Sequence, residues 1–127
     1  GEKGQALVSP KNGFIQMDGR AVFEFAVSRV PEVIREVLEK GGVEKEEVDF
    51  FLLHQANRRI ITAAARRLGI GEEKFPMNME EYGNTSAASI PILLDEQNRN
   101  GKLKRGNLLV LSGFGGGLTY GASLLRW

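Results

Sequence analysis

Val48-Asp49-Phe50-Phe51-Leu52-Leu53-His54-Gln55-Ala56-Asn57-Arg58-Arg59-Ile60-Ile61 is the stretch that decides the fold. Val48 to Leu53 has the length of a strand, and its nearly unbroken apolar character predicts burial on both faces. The strand runs directly into His54-Gln55-Ala56-Asn57. Asn57 can cap the next helix, because its side-chain oxygen can accept from N–H groups that a first helical turn leaves free. That helix carries an apolar stripe at Ile60, Ile61, Ala64, Ala65 and Leu68, and Gly69 terminates it. Strand, short polar turn, helix: this is the βα unit of a layered α/β protein.

Upstream, residues 1–17 read as a loop with one or two strand fragments, and residues 18–127 as one domain. From Asp18, an N-cap candidate, Phe23, Ala26, Val27, Val30, Ile34, Val37 and Leu38 recur at helical spacing. Pro31 lies inside this pattern and removes a backbone donor, so a kinked helix and two abutting helices are both open. Gly41-Gly42 ends the pattern, and Glu44 to Glu47 reads as a charged turn.

Downstream, residues 70–83 are irregular. Asn84-Thr85-Ser86 opens a helical stretch through about Asn98, with Pro91 tolerable only near its beginning. After a basic turn from Gly101 to Gly106, Leu108 to Leu111 forms a second apolar strand. Gly113-Phe114-Gly115-Gly116-Gly117 reads as a turn, and a last strand near Leu118 to Leu125 closes an antiparallel pair.

The 127 residues suffice for one domain with a buried core, and 42% hydrophobic with 26% charged residues is a soluble globular balance. A net charge of +1 lacks the footprint of a nucleic-acid binder. Basic residues cluster at Arg58, Arg59, Arg66 and Arg67, and at Lys102, Lys104 and Arg105. Such clusters are solvated helix faces and turns, or a site for a phosphorylated or acidic partner. Absence of cysteine and a single histidine exclude a disulfide scaffold and argue against a zinc site, so no metal is expected. No apolar run reaches the roughly 20 residues of a membrane span and no signal peptide is visible, so a cytoplasmic location without membrane contact is expected. The opening, Gly1-Glu2-Lys3-Gly4-Gln5, lacks an initiator methionine, and an excised domain is the favoured explanation over processing or an expression scar.

Three spots could carry chemistry, all at predicted strand ends or helix starts, where α/β proteins place their sites. His54-Gln55-Ala56-Asn57 contains the one histidine, which by default is a satisfied core or surface residue. Tyr82-Gly83-Asn84-Thr85-Ser86-Ala87-Ala88-Ser89 would let a backbone approach a ligand, and helix capping accounts for its polar residues equally well. Ser112-Gly113-Phe114-Gly115-Gly116-Gly117 can aim N–H groups at an oxyanion, or simply supply a turn. These glycines lack a succeeding Gly-Lys-Ser/Thr triplet, which disfavours a phosphate-binding loop. Residues 118–125 read as strand and not helix, which disfavours a dinucleotide fingerprint.

The three strings in this order resemble β-ketoacyl-acyl-carrier-protein synthase III, the initiating condensing enzyme of bacterial type II fatty-acid synthesis. Met17-Asp18-Gly19-Arg20 with Val22-Phe23 looks like that family too, so the resemblance covers about Phe14 to Trp127. It implies a thiolase-like fold of two similar halves, of which this chain would be the C-terminal half. That half has a mixed, mostly parallel sheet with helices on both faces. The family's active-site cysteine belongs to the missing N-terminal half. There it takes an acyl group, usually acetyl from acetyl-CoA, and a malonyl unit on acyl carrier protein condenses with it as carbon dioxide leaves. No cofactor is implied beyond the CoA thioester and the carrier's phosphopantetheine, both of which are substrates.

Carried over by motif, His54 and Asn84 would complete a Cys-His-Asn triad, donating hydrogen bonds to the enolate oxygen formed on decarboxylation. Gly116 would offer an N–H to the oxyanion of the acyl-cysteine step, and Phe114 would gate the pocket. Gly19, Ala56, Asn57 and Ile60 match positions lining the CoA or pantetheine channel, while Arg59, with Arg58 beside it, matches a docking site for the acidic carrier protein. The resemblance also implies a homodimer of complete subunits, and an isolated half that is inactive and self-associates. A non-catalytic partner or scaffold subunit of the same fold is the alternative, and intact His54 and Asn84 argue against it. A nucleotide-binding domain built on the glycine run is the third reading.

Overall fold

The computed structural model describes residues 19–55, 57–78, 89–115 and 119–127. Helix α1 spans Gly19–Gly41 and passes through Pro31 as one element. Proline inside a helix removes one backbone bond. Here its ring is fully buried on the face that carries Val27, Val30 and Ile34, so packing of an apolar face offsets that loss. The single helix resolves the choice left open by the sequence. Gly42, at φ 64°, leaves the helix in the left-handed conformation that glycine adopts without a Cβ clash. The expected cap at Asp18 lies outside the described residues.

The charged segment after α1 is a 3₁₀ turn, Lys45–Glu47, closed by the Glu44 N–H donating to the Glu47 carboxylate at 2.7 Å. Strand β1, Phe50–Leu53, comes next. It pairs in parallel with β2, Leu108–Gly115, which pairs antiparallel with β3, Thr119–Arg126, in the order β1-β2-β3. The described sheet is therefore mixed, with one parallel and one antiparallel pairing. β2 runs further than its apolar pattern suggests. Gly113, Phe114 and Gly115 continue the ladder opposite Gly121, Tyr120 and Thr119, where a turn is expected from the sequence. Backbone hydrogen bonds carry that extension, and they need no side chain. Residues 116–118 lie outside the described residues.

Alternation along the strands sorts their side chains onto two faces. Phe51, Leu53, Leu108 and Val110 share a core with Ala26, Val30, Ile34 and Leu38 of α1 and with helix α2, Arg58–Leu68, through Ile60, Ile61, Ala64, Ala65 and Leu68. Phe75 closes this core by stacking on Phe51, with ring centroids 4.8 Å apart. Leu52 and Leu109 point to the other face, where helix α3, Ser89–Arg99, contributes Leu93, and all three side chains are fully buried. A Cβ on Gly113 would stand 3.4 Å from Cδ1 of Ile90, so the sheet and α3 meet closely there. Helices thus cover both faces of the sheet. Pro91 sits in the first turn of α3, where its missing N–H costs nothing. The expected start at Asn84 lies outside the described residues. No helix among the described residues is long and apolar enough to cross a membrane.

Candidate functional site

β1 ends at Leu53, and the next residue is still held by the sheet: the His54 N–H donates to the Ser112 carbonyl at 2.9 Å. Ser112 in turn donates its hydroxyl to the Gly121 carbonyl at 3.2 Å. One residue of β2 therefore ties the end of β1 to β3 at the level of the histidine. His54 is half-buried, and loss of water around the ring lowers its pKa below the ordinary 6.5. A neutral imidazole at pH 7 carries one N–H donor and one acceptor. His54 borders a small recess that Val30, Leu53, Ile60 and Ser112 also line.

Gln55 is fully buried. Its amide Nε2 donates to the Leu53 carbonyl at 2.7 Å, while its Oε1 accepts from the Asn78 N–H at 3.2 Å. Asn57 starts α2 with extended backbone (φ −157°, ψ 123°), and its Oδ1 accepts from the Arg59 N–H at 2.7 Å. α2 ends at Gly69, φ 69°, in the left-handed C-cap anticipated from the sequence. Its last carbonyls accept from two cations, Arg35 Nη2 to Arg67 O at 2.7 Å and Lys45 Nζ to Leu68 O at 2.6 Å. Both complement the negative end of the helix dipole.

The expected site residues fall into separate groups. His54 and Ile60 meet at the recess, Ile60 being almost wholly buried there, and Asn57 caps the helix beside them. Arg58 and Arg59 are exposed on the first turn of α2, and the Arg59 guanidinium lies 4.5 Å above the Phe23 ring of α1. Gly19 opens α1, eleven residues before Val30, hence roughly 16 Å along the helix from the recess. The Phe114 backbone sits in β2 two residues beyond Ser112. Ala56, Asn84 and Gly116 lie outside the described residues. Ser112 and Gln55 do not figure among the expected site residues, although both stand inside the strings singled out. Ser112 accepts from the His54 N–H and Gln55 from the Asn78 N–H, each far away in the chain, and such bonds leave no periodic mark in a sequence. Among the described residues no cluster of three or more His, Cys, Asp or Glu could hold a metal.

Residues 38–127 match the family described as 3-oxoacyl-[acyl-carrier-protein (ACP)] synthase III C terminal. The chain belongs to that family. Among curated synthase III proteins, one from Streptococcus equi subsp. zooepidemicus is 48% identical over 99% of this chain and 44% of its own length. One from Lactobacillus delbrueckii subsp. bulgaricus is 60% identical over 87% of the chain and 35% of its own. The crystal structure of the Aquifex aeolicus synthase III superposes with a TM-score of 0.94 at 52% identity, covering all of this chain and 41% of that one. The α/β fold expected from the resemblance, the C-terminal part of a thiolase-like synthase III, is therefore the fold observed. The chain spans less than half the length of these synthase III relatives.

Proposed function

We propose that the chain is the His- and Asn-bearing half of a β-ketoacyl-acyl-carrier-protein synthase III. This acyltransferase condenses an acyl-CoA primer, acetyl-CoA by preference, with malonyl-acyl carrier protein. The observation that carries this reading is His54. A family member holds its one histidine at the C-terminal end of β1, backbone-anchored and half-buried, at the edge of a small recess that Val30, Leu53 and Ile60 also line.

The chemistry needs those properties. In the condensation step the bond between the malonyl α-carbon and its carboxylate breaks, and carbon dioxide departs. The electron pair stays on carbon and spreads onto the thioester oxygen as an enolate. The N–H of a neutral His54 and the side-chain amide of Asn84 donate to that oxygen. Donors fixed in a water-poor site stabilise developing charge without reorganising, and removing one typically costs about 100–1,000-fold. The enolate carbon then attacks the acyl carbonyl on the cysteine of the other half, and collapse of the tetrahedral intermediate expels the thiolate. Burial of the His54 ring supports the role, because lowering its pKa keeps the imidazole neutral at working pH.

In this reading Gly116 serves the acyl-cysteine oxyanion and Phe114 the gate. Gly19, Ala56, Asn57 and Ile60 line the pantetheine channel. Exposure of Arg58 and Arg59 on one helical turn supports their docking of an acidic carrier protein. The complete enzyme is a cytoplasmic homodimer of two-half subunits. Joining this chain to a cysteine-bearing synthase III first half tests the proposal: the joined protein is expected to make acetoacetyl-carrier protein from acetyl-CoA and malonyl-carrier protein. Acylation of the cysteine with no condensation product would contradict it.

A further inference from the structure

We infer that Gln55 is the positioning residue of the site, locking the backbone on either side of His54 so that the imidazole meets the developing enolate at fixed geometry. The inference rests on the function proposed above and names a residue it leaves without a role. Gln55 has no exposed surface, an unusual place for a primary amide, and both ends of its side chain are used. The Nε2 donates back across the histidine to the Leu53 carbonyl at 2.7 Å, and Oε1 accepts from the backbone N–H of Asn78 at 3.2 Å. With the His54 N–H on Ser112 at 2.9 Å, the peptide bearing the imidazole is fixed both from β2 and from its own C-terminal neighbour.

The Asn78 end gives this lock its reach. Asn78 is buried and belongs to the irregular segment after Phe75, 23 residues away in sequence, so the bond joins the end of β1 to a separate piece of chain. The Asn78 side-chain nitrogen, itself buried, has no hydrogen-bond partner among the described residues. Its backbone N–H is what the amide of Gln55 holds. In the sequence, Asn78 stands six residues before Asn84, the other donor proposed for the enolate.

Only a side chain that is donor at one end and acceptor at the other satisfies both bonds at this length. Methionine fills the volume and makes neither. Glutamate is isosteric and accepts from Asn78, but donates to Leu53 only when protonated. Small displacements of a catalytic group matter, since a misplacement of about 1 Å can lower a rate about 100-fold.

The test uses the joined two-half enzyme, with cysteine acylation and condensation measured separately for Gln55→Met, Gln55→Glu and His54→Ala. The expected result for Gln55→Met is acylation near the parent rate with condensation kcat lowered roughly 10–100-fold, and KM for malonyl-carrier protein nearly unchanged. Gln55→Glu is expected to recover condensation, relative to the parent at each pH, as falling pH protonates the carboxyl and restores the donor. It carries the test alone if Gln55→Met does not fold. Acylation and condensation falling together in either variant, or condensation unaffected in both, overturns the positioning role. His54→Ala separates that outcome from failure of the underlying reading: if it condenses at the parent rate, the proposed function fails whatever Gln55 does.

Discussion

The guanidinium of Arg59 lies 4.5 Å from the centre of the Phe23 ring, so the first turn of α2 is pinned to α1 by its own basic residue. A cation over an aromatic face contributes about 0.5–1 kcal/mol at an exposed site. It also keeps the charge in one place, which the proposed docking role needs. Arg59→Glu in the complete enzyme is expected to raise KM for malonyl-carrier protein roughly tenfold, equivalent to about 1.4 kcal/mol. The salt dependence should flatten, while KM for acetyl-CoA stays near the parent value. Equal increases for both substrates would remove the docking role.

Asn57 has an observed duty and a proposed one, and chemistry separates them. Its Oδ1 caps α2 by accepting from the Arg59 N–H. Asn57→Ala is expected to lower unfolding free energy by about 1 kcal/mol in urea titration. Asn57→Asp keeps the capping oxygen and loses the amide hydrogens, so it should restore stability. If the amide also touches pantetheine, Asn57→Asp retains a raised KM for acyl-CoA despite that restored stability.

The stack of Phe51 on Phe75 joins β1 to the segment that leads to Asn78. Phe51→Ala removes a fully buried ring and is expected to cost about 3–5 kcal/mol. Thermal unfolding should show that loss, and a drop below about 1 kcal/mol would mean the core collapses to refill the space.

His54 links stability to pH in a defined direction. Burial lowers its folded pKa below the ordinary 6.5, so the unfolded chain binds the proton more readily. The neutral ring's contribution is present above about pH 6.5 and is lost as pH falls through the folded pKa. His54→Gln is therefore expected to flatten the fall in Tm between about pH 7 and pH 5. An identical slope in parent and variant would place the acid-sensitive group elsewhere.

The βα unit at residues 48–69 was legible because each of its signals is local. An apolar run, an Asx cap, a stripe at helical spacing and a terminal glycine all act within a few residues. The observed β1, the Asn57 cap and the Gly69 C-cap agree with those signals. The extension of β2 through Gly115 was not legible, because glycine leaves no side-chain alternation and the pairing with β3 is made by backbone alone. Pro31 was ambiguous for the opposite reason: local propensity argues for a break, and burial of the ring in the core overrides it. At the candidate site, His54 and Ile60 were singled out from a motif, and both line the recess. The hold of Ser112 on His54 and that of Gln55 on Asn78 depend on partners in distant segments and become visible only in three dimensions.

The most direct measurement is of His54→Ala in the complete enzyme, with radiolabelled acetyl transfer to the cysteine and formation of acetoacetyl-carrier protein followed separately. Acylation close to the parent rate with condensation reduced about 100-fold or more is the result expected of an enolate donor. Condensation at the parent rate would make His54 a structural residue and contradict the mechanism.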